Sequence, residues 1–186
     1  MKKRSVKQDT KNSKKLYKVK KRSSKPKLRE LPDLKRELWY WTSLACRLRD
    51  ADDFGTVTCP VCKKATSHYY KGQMQAGHFV RKSRGGITEY MLENLVTICS
   101  GCNIEDSDYK LSKVVNERNA PVNDMEFSDY LFHLNKSINV KKDRFYFDEV
   151  IPKTKQLVLD LSKRKNLWDW KSGCLSKYKN SYNINI

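Results

Sequence analysis

Acidic residues are almost missing from the first 29 positions of this 186-residue chain, where Asp9 alone stands against 14 Lys or Arg. Large apolar side chains are just as scarce there, with Val6, Leu16, Tyr17, Val19 and Leu28 the ones that could be buried. Such a segment cannot offset the entropy of ordering, so residues 1–30 are expected to form a disordered basic arm. Tyrosine is its one aromatic type, which gives base stacking little support, and Lys outnumbers Arg, which argues against a mitochondrial transit peptide. Nowhere does an apolar run approach the roughly 18 residues that cross a bilayer, and the N-terminus lacks the apolar segment of a secretory signal. No membrane partner and an intracellular location are expected.

The formal charge is +18, of which the residues after 29 carry only +5, from 25 basic and 20 acidic side chains. The basicity belongs mainly to the arm. It suits an electrostatic arm that neutralises nucleic-acid phosphates and releases their counterions, although a solubilising tail would have the same composition.

Six cysteines are present, and four of them fall in two Cys-x-x-Cys knuckles, Cys59-Pro60-Val61-Cys62 and Cys99-Ser100-Gly101-Cys102. Two sulfurs three residues apart over a tight turn reach one metal, and two such turns complete the tetrahedral sulfur shell that Zn2+ prefers. A structural zinc on Cys59, Cys62, Cys99 and Cys102 follows, with Cys46 and Cys174 as ordinary thiols in a reducing compartment. The insert between the knuckles runs from Lys63 to Ile98, about twice the usual ribbon length of roughly 15 to 20 residues. It either houses a function or is a long hairpin decorating a zinc ribbon.

Around the knuckles the pattern predicts an α+β domain over 31–120, a helical extension over 121–172 and a frayed tail over 173–186. Pro32 and Asp33 suit the first turn of a helix whose Leu34, Leu38, Trp41, Ala45 and Leu48 make one apolar stripe. That helix is expected to cover the zinc core and not to line a cofactor site. Thr56–Thr58 reads as a strand into the first knuckle, and Ala65–Lys71 with Gln73–Val80 as a hairpin turning at Gly72. His78 ends the second arm after Gly77, and Arg81, Lys82 and Arg84 follow in a mobile basic loop suited to a phosphate or to solvent. Leu95–Ile98 reads as a strand into the second knuckle. Asn103 and Cys102 would open a helix over 104–117, at an end that favours anions. Asn123 or Asp124 could cap a helix through Phe127 and Leu134, Arg144–Phe147 reads as a short strand, and Thr154–Trp170 as a further helix. His68 and His133 are expected to be structural or exposed.

Taken together, Trp41–Arg49, Asp50-Ala51-Asp52, Gly55, Cys59-x-x-Cys62, Gln75-Ala76-Gly77-His78-Phe79, Asn94 and Cys99-x-x-Cys102-Asn103 resemble the phage recombination-nuclease family called NinG or Rap. That family lies within the HNH (ββα-metal, His-Me finger) endonucleases, and the resemblance covers about residues 34 to 110. It implies a zinc-braced ββα core, a phage-infected bacterial cytoplasm, and metal-dependent hydrolysis of DNA, with branched or recombination intermediates as the substrates the resemblance suggests. By position it makes His78 the general base, Asn94 the residue that holds the loop and the histidine, and Asn103 the residue facing a catalytic Mg2+ or Mn2+. Imidazole has the near-neutral pKa that activating water requires, and a hard cation suits a scissile phosphate. Two positions depart from the pattern: Gly77 stands where many members have Asp, and Asn103 where they have His. Gln75, Asp106, Ser107 or Asp108 could complete the ligand set. A zinc-ribbon protein that binds nucleic acid without cutting it remains the alternative.

Overall fold

The computed structural model describes residues 28–68, 73–84, 86–104, 108–165 and 167. The basic arm up to residue 27, Gly72, Gly85, Asp106, Ser107, Cys174 and the C-terminal tail lie outside them. The described chain is α+β, with five helices and two small two-stranded sheets.

Helix α1 (Leu31–Asp50) starts where Pro32 and Asp33 place it, and all five residues of its apolar stripe are at most 4% exposed. The stripe packs on α5 (Arg144–Arg164), where Phe147, Ile151, Val158 and Leu161 are buried against it. At roughly 1.5 to 3 kcal/mol for each fully buried large apolar side chain, this contact dominates one of the two larger cores. The expected strand at Arg144–Phe147 is instead the first turn of α5. Asp143 caps it by accepting from the Tyr146 amide at 3.2 Å, and only Phe145 of the aromatic run points to solvent, 81% exposed. Pro152 lies inside this helix, which therefore begins ten residues before the expected Thr154.

Strands β1 (Thr56–Thr58) and β2 (Ala65–Ser67) pair antiparallel across the first knuckle. The turn closes when Lys63 donates to the Cys59 carbonyl at 2.9 Å and Cys59 to that of Lys64 at 2.8 Å. Lys63 takes a left-handed φ of 64° to do so. The expected hairpin between the segments around Gly72 is thus not formed: β2 is already paired with β1, and the following strand, β3 (Met74–His78), pairs with β4 (Leu95–Cys99). The β3–β4 register sets Met74 opposite Cys99 at one end and His78 opposite Leu95 at the other. All five residues of β4 are buried, which marks it as the centre of the fold.

Between β3 and β4 the chain runs through three short 3-10 turns at Lys82–Arg84, Ile87–Tyr90 and Leu92–Asn94. The basic segment is therefore shaped, not a free loop. Gly86, at φ 78°, presses so closely on α4 (Phe127–Ser137) that an added Cβ would sit 2.1 Å from Asn135 Oδ1. Thr88 Oγ1 donates to the same atom at 2.8 Å.

After β4 come α2 (Ser100–Ile104) and α3 (Asp108–Arg118). Because α2 begins at Ser100, Cys102 and Asn103 lie in its first turn, where the Cys102 amide donates to Cys99 Sγ. Asn123 and Asp124, expected as caps, instead hold left-handed φ values of 50° and 61° in a tight turn between Val122 and Met125. Short polar side chains tolerate that conformation. Among the described residues no helix is long and apolar enough to cross a membrane.

Candidate functional site

The four knuckle cysteines converge, with all four Sγ atoms within 4.8 Å of one another. Ligands at the usual Zn–S length of about 2.3 Å in a tetrahedron lie about 3.8 Å apart, so the cluster has dimensions that could hold such a metal. Cys62 and Cys99 Sγ are 3.5 Å apart, and the Cys102 amide donates to Cys99 Sγ at 3.5 Å. Burial works against ionising Cys59, but amide donors outweigh it and bring that thiol down to about 7. Cys102 is pushed up to about 12 by its hydrogen bond with Cys99 and by burial. Four sulfurs this close cannot all be thiolates without a cation between them, which is why such a cluster and a divalent metal go together. Cys46, by contrast, is fully buried against Thr97 at 3.3 Å, and burial followed by Asp50 raises its thiol to about 12.

At the far end of the β3–β4 ladder, His78 lies flat on Trp39 of α1, with ring centroids 5.0 Å apart and planes 13° from parallel. Its Nε2 is 3.0 Å from the Glu89 carbonyl. A carbonyl oxygen can only accept, so Nε2 carries the proton of the neutral ring and Nδ1 holds the lone pair. Among the described residues Nδ1 has no hydrogen-bond partner. Burial lowers the His78 pKa, the Glu89 carbonyl opposes this, and nearby Lys82 lowers it further. The imidazole is thus neutral at neutral pH and able to accept a proton.

Asn94 holds this arrangement together. It is fully buried, its Oδ1 accepts from the Val80 amide at 2.7 Å, and its Nδ2 donates to the carbonyls of Val80 at 3.1 Å and Thr88 at 3.0 Å. Its own carbonyl accepts from Phe79 at 2.9 Å. The segments either side of the basic turn are thereby clamped, and Glu89 follows directly on Thr88. A holding role is what these bonds perform.

Asn103 is exposed and donates from Nδ2 to Gln75 Oε1 at 2.7 Å, which turns its Oδ1 toward Gly77. A Cβ at Gly77 would lie 2.9 Å from that oxygen and 2.5 Å from Ile98 Cδ1, so the backbone needs glycine here. His78, Asn94 and Asn103 are therefore brought around the β3–β4 ends and α2. Among the described residues, however, the cysteine cluster is the only group of three or more His, Cys, Asp or Glu placed to hold a metal.

Arg81, Lys82 and Arg84 are exposed beside this site. Lys82 Nζ is 3.6 Å from Glu89 Oε1 and 5.5 Å from the Trp39 ring centre, while the Arg84 guanidinium lies 5.2 Å over Phe132. Lys142 pairs with the other Glu89 oxygen. Of the remaining histidines, His68 is buried with Nδ1 2.8 Å from the Gly55 carbonyl, and His133 is exposed beside Ser137, so both are structural or exposed as expected.

Helix α1 is expected to cover the zinc core and not to line a cofactor site. One face does pack on α5, but the other forms a cleft of about 440 Å³ with Gln75 and Asn103, using Arg36, Trp39, Tyr40 and Arg47. These α1 positions recur at spacings of three, four and seven, a second stripe on the same helix that was visible in the sequence beside the apolar one. Glu89, in contrast, contributes through its backbone carbonyl, for which no residue type is a signal.

At the end of α1, the Asp50 side chain, 6% exposed, lies between two arginines. It lies 2.7 Å from Arg49 Nε and 3.2 Å from Arg118 Nη2, and it accepts from the Thr97 amide of β4 at 2.8 Å. Arg49 in turn donates to the carbonyls of Leu92 at 2.6 Å and Leu95 at 2.7 Å. Burial opposes its charge, but the Arg49 hydrogen bond and both guanidiniums hold the Asp50 carboxyl below its ordinary value. No family model, curated protein or solved structure matches this chain.

Proposed function

We propose that this protein is a metal-dependent DNA endonuclease of the HNH type, with one structural zinc on Cys59, Cys62, Cys99 and Cys102. The observation that carries the reading is the His78 hydrogen bond to the Glu89 carbonyl, which leaves Nδ1 with its lone pair at the end of a strand–strand–helix unit. In this reading Nδ1 takes a proton from water as the water oxygen attacks the phosphorus. The phosphorus–oxygen bond to the leaving sugar breaks, and the leaving oxygen is protonated by solvent. A positioned base of this kind is worth on the order of 10² to 10⁴ in rate. Asn94 holds the loop that orients the imidazole, and Arg81, Lys82 and Arg84 bind neighbouring phosphates.

The exposed Oδ1 of Asn103 is an oxygen donor suited to Mg2+ or Mn2+, and such a cation bound there would neutralise charge on the phosphate. Its other ligands would be water and phosphate oxygens, the usual company of Mg2+. Similarity to the NinG and Rap nucleases in the order of these motifs supports the same assignment. The test is plasmid and branched DNA incubated with the full chain, with and without Mg2+ or Mn2+, in wild type and His78→Ala. Cleavage that needs the cation and falls on the order of 10² to 10⁴ in the variant at unchanged DNA affinity supports it.

A second reading, a zinc-ribbon protein that binds nucleic acid without cutting it, is favoured by the lack of a carboxylate or histidine cluster around His78 among the described residues. DNA binding with no cleavage under either cation selects it.

A further inference from the structure

The hydrogen-bond acceptor of His78 is held in place by a part of the chain that follows the strand–strand–helix unit. Glu89, whose carbonyl lies 3.0 Å from Nε2, belongs to the Ile87–Tyr90 turn. On one side of it, Thr88 Oγ1 donates to Asn135 of α4 at 2.8 Å. On the other, the Tyr90 ring packs on Tyr146 and Phe147 in the first turn of α5, with centroids 6.5 and 6.3 Å away.

The Glu89 side chain itself, 13% exposed, accepts from Nζ of Lys142, which is 14% exposed. A carboxylate so withdrawn from water needs a cation beside it. Lys82 is the other cation at hand, but its Nζ is 3.6 Å from Oε1 and its side chain is 58% exposed. Burial opposes the charge on Glu89, yet the Lys142 hydrogen bond and the charges of Lys142 and Lys82 outweigh it and hold the carboxyl below its ordinary value. Lys142 also lies 5.4 Å from the Tyr90 ring centre. It directly precedes Asp143, the residue that caps α5, so the start of that helix fixes where its side chain begins.

We propose that Lys142 is a positioning residue for His78: by pairing with Glu89 it keeps the Glu89 carbonyl on Nε2 and so leaves Nδ1 open to take a proton. The proposal deepens the nuclease reading, on which it rests for the reaction, and gives the segment after residue 120 a part in the site. In this role Lys142 meets neither the attacking water nor the phosphate. A neutral imidazole carries its one ring proton on either nitrogen, and the partner of one nitrogen decides which. Without Lys142 the enclosed carboxylate keeps only the exposed Lys82 and turns toward water, and the turn that carries the carbonyl moves with it. The ring proton can then sit on Nδ1, the nitrogen that has to accept.

The experiment records nitrogen–proton NMR spectra of the histidine rings in the zinc-loaded full chain, at a pH where they are neutral. The proteins are wild type, Lys142→Met, Lys142→Arg and Lys141→Met, with His78→Ala to assign the signal. Lys141 is the neighbour, 88% exposed and 3.8 Å from Asp143, and controls for the loss of one charge. Wild type is expected to show His78 as the Nε2–H tautomer alone, with that proton protected from exchange. Lys142→Met should mix in the Nδ1–H form and speed exchange about ten-fold, the worth of one hydrogen bond. Lys142→Arg should restore both, and Lys141→Met should change neither. Circular dichroism and zinc content report folding, and Glu89→Gln, which leaves Lys142 without its charge partner, is read in its place if Lys142→Met does not fold. On DNA with Mg2+ or Mn2+, Lys142→Met should cut about 10- to 100-fold more slowly at unchanged affinity, the loss seen when the partner behind a functional histidine is removed.

A wild-type ring in both tautomers, a Lys142→Met ring still in one, or an equal change in Lys141→Met would each overturn the proposal. Spectra that change as expected in a chain that cuts no DNA remove the nuclease and keep the hold on the ring. Cleavage by Lys142→Met at the wild-type rate keeps the nuclease and removes the positioning.

Discussion

Trp39 and His78 are stacked nearly parallel at 5.0 Å, so a residue of the first helix forms one wall of the imidazole's surroundings. Burial is the first cause that lowers the His78 pKa, and Trp39 covers one side of the ring. Replacing Trp39 with Leu is expected to raise the His78 pKa toward its ordinary value of about 6.5. Titration of the His78 ring protons by NMR in wild type and Trp39→Leu checks this without any activity assay, and an unchanged titration would show that other groups set the shift.

A lowered histidine pKa also makes folding pH-dependent. Both His78 and His68 have folded pKa values below their unfolded ones, chiefly through burial, so the unfolded chain binds more protons as pH falls below about 6.5. Their contribution is complete above that pH and is lost as pH drops from there toward the folded pKa values. Denaturation midpoints in urea should therefore fall between pH 7.5 and 6.0, and His78→Ala should flatten part of that slope.

Asn94→Ala removes three side-chain hydrogen bonds at a fully buried position, orphans the Val80 amide and carbonyl, and leaves the Thr88 carbonyl with the Met91 amide alone. Each orphaned group costs about 1 to 3 kcal/mol, so a melting temperature lower by ten degrees or more is expected. Asn94→Asp should be destabilised as well, because a carboxylate would face two carbonyl oxygens. A calorimetric scan of both variants decides it.

Asp50→Ala would leave Arg49 and Arg118 without their shared carboxylate, and the Thr97 amide of β4 without its acceptor. Breaking a buried ion pair from one side costs roughly 3 to 5 kcal/mol. Stability measured by urea denaturation should fall by that order while the zinc content stays unchanged, since the cysteine that Asp50 and Arg49 meet is Cys46, at 3.8 and 3.7 Å, and not one of the knuckle four.

For the metal, one zinc per chain is expected by elemental analysis, with Cys99→Ser losing it and unfolding the β3–β4 end. Structural zinc is worth roughly 10 to 16 kcal/mol in small peptides, more than the whole stability of a typical domain. A Cys99→Ser protein with unchanged zinc and unchanged melting would remove the assignment.

What could be read from the chain divides along physical lines. The stripe from Leu34 to Leu48, the knuckles and the strands at Thr56–Thr58 and Leu95–Ile98 were legible, because burial and metal chemistry demand particular residue types at fixed spacings. Strand partners were not: nothing in Ala65–Ser67 says that it pairs backward with Thr56–Thr58 instead of forward with Met74–His78. The aromatic run at Arg144–Phe147 looks β-like by propensity, but Asp143 caps it and packing on α1 makes it helical. At the site, His78 and Asn94 were legible as residue types in a motif order. The Glu89 carbonyl was hidden because every residue has one, and Trp39 because its stripe lay beside a stronger one.

The β3–β4 pairing fixes how the chain can change length. Four residues of ladder, about 13 Å at 3.3 Å per residue, separate the Met74–Cys99 end from the His78–Leu95 end. A residue inserted between Arg81 and Arg84 would disturb an exposed 3-10 turn without shifting the register of either sheet. A residue inserted between Leu95 and Cys99 would turn every later side chain of that strand to the opposite face, pointing Cys99 away from its three partners or Leu95 away from the core. In relatives of this chain, insertions and deletions should accumulate on one side of Asn94 and be excluded from the five residues that follow it.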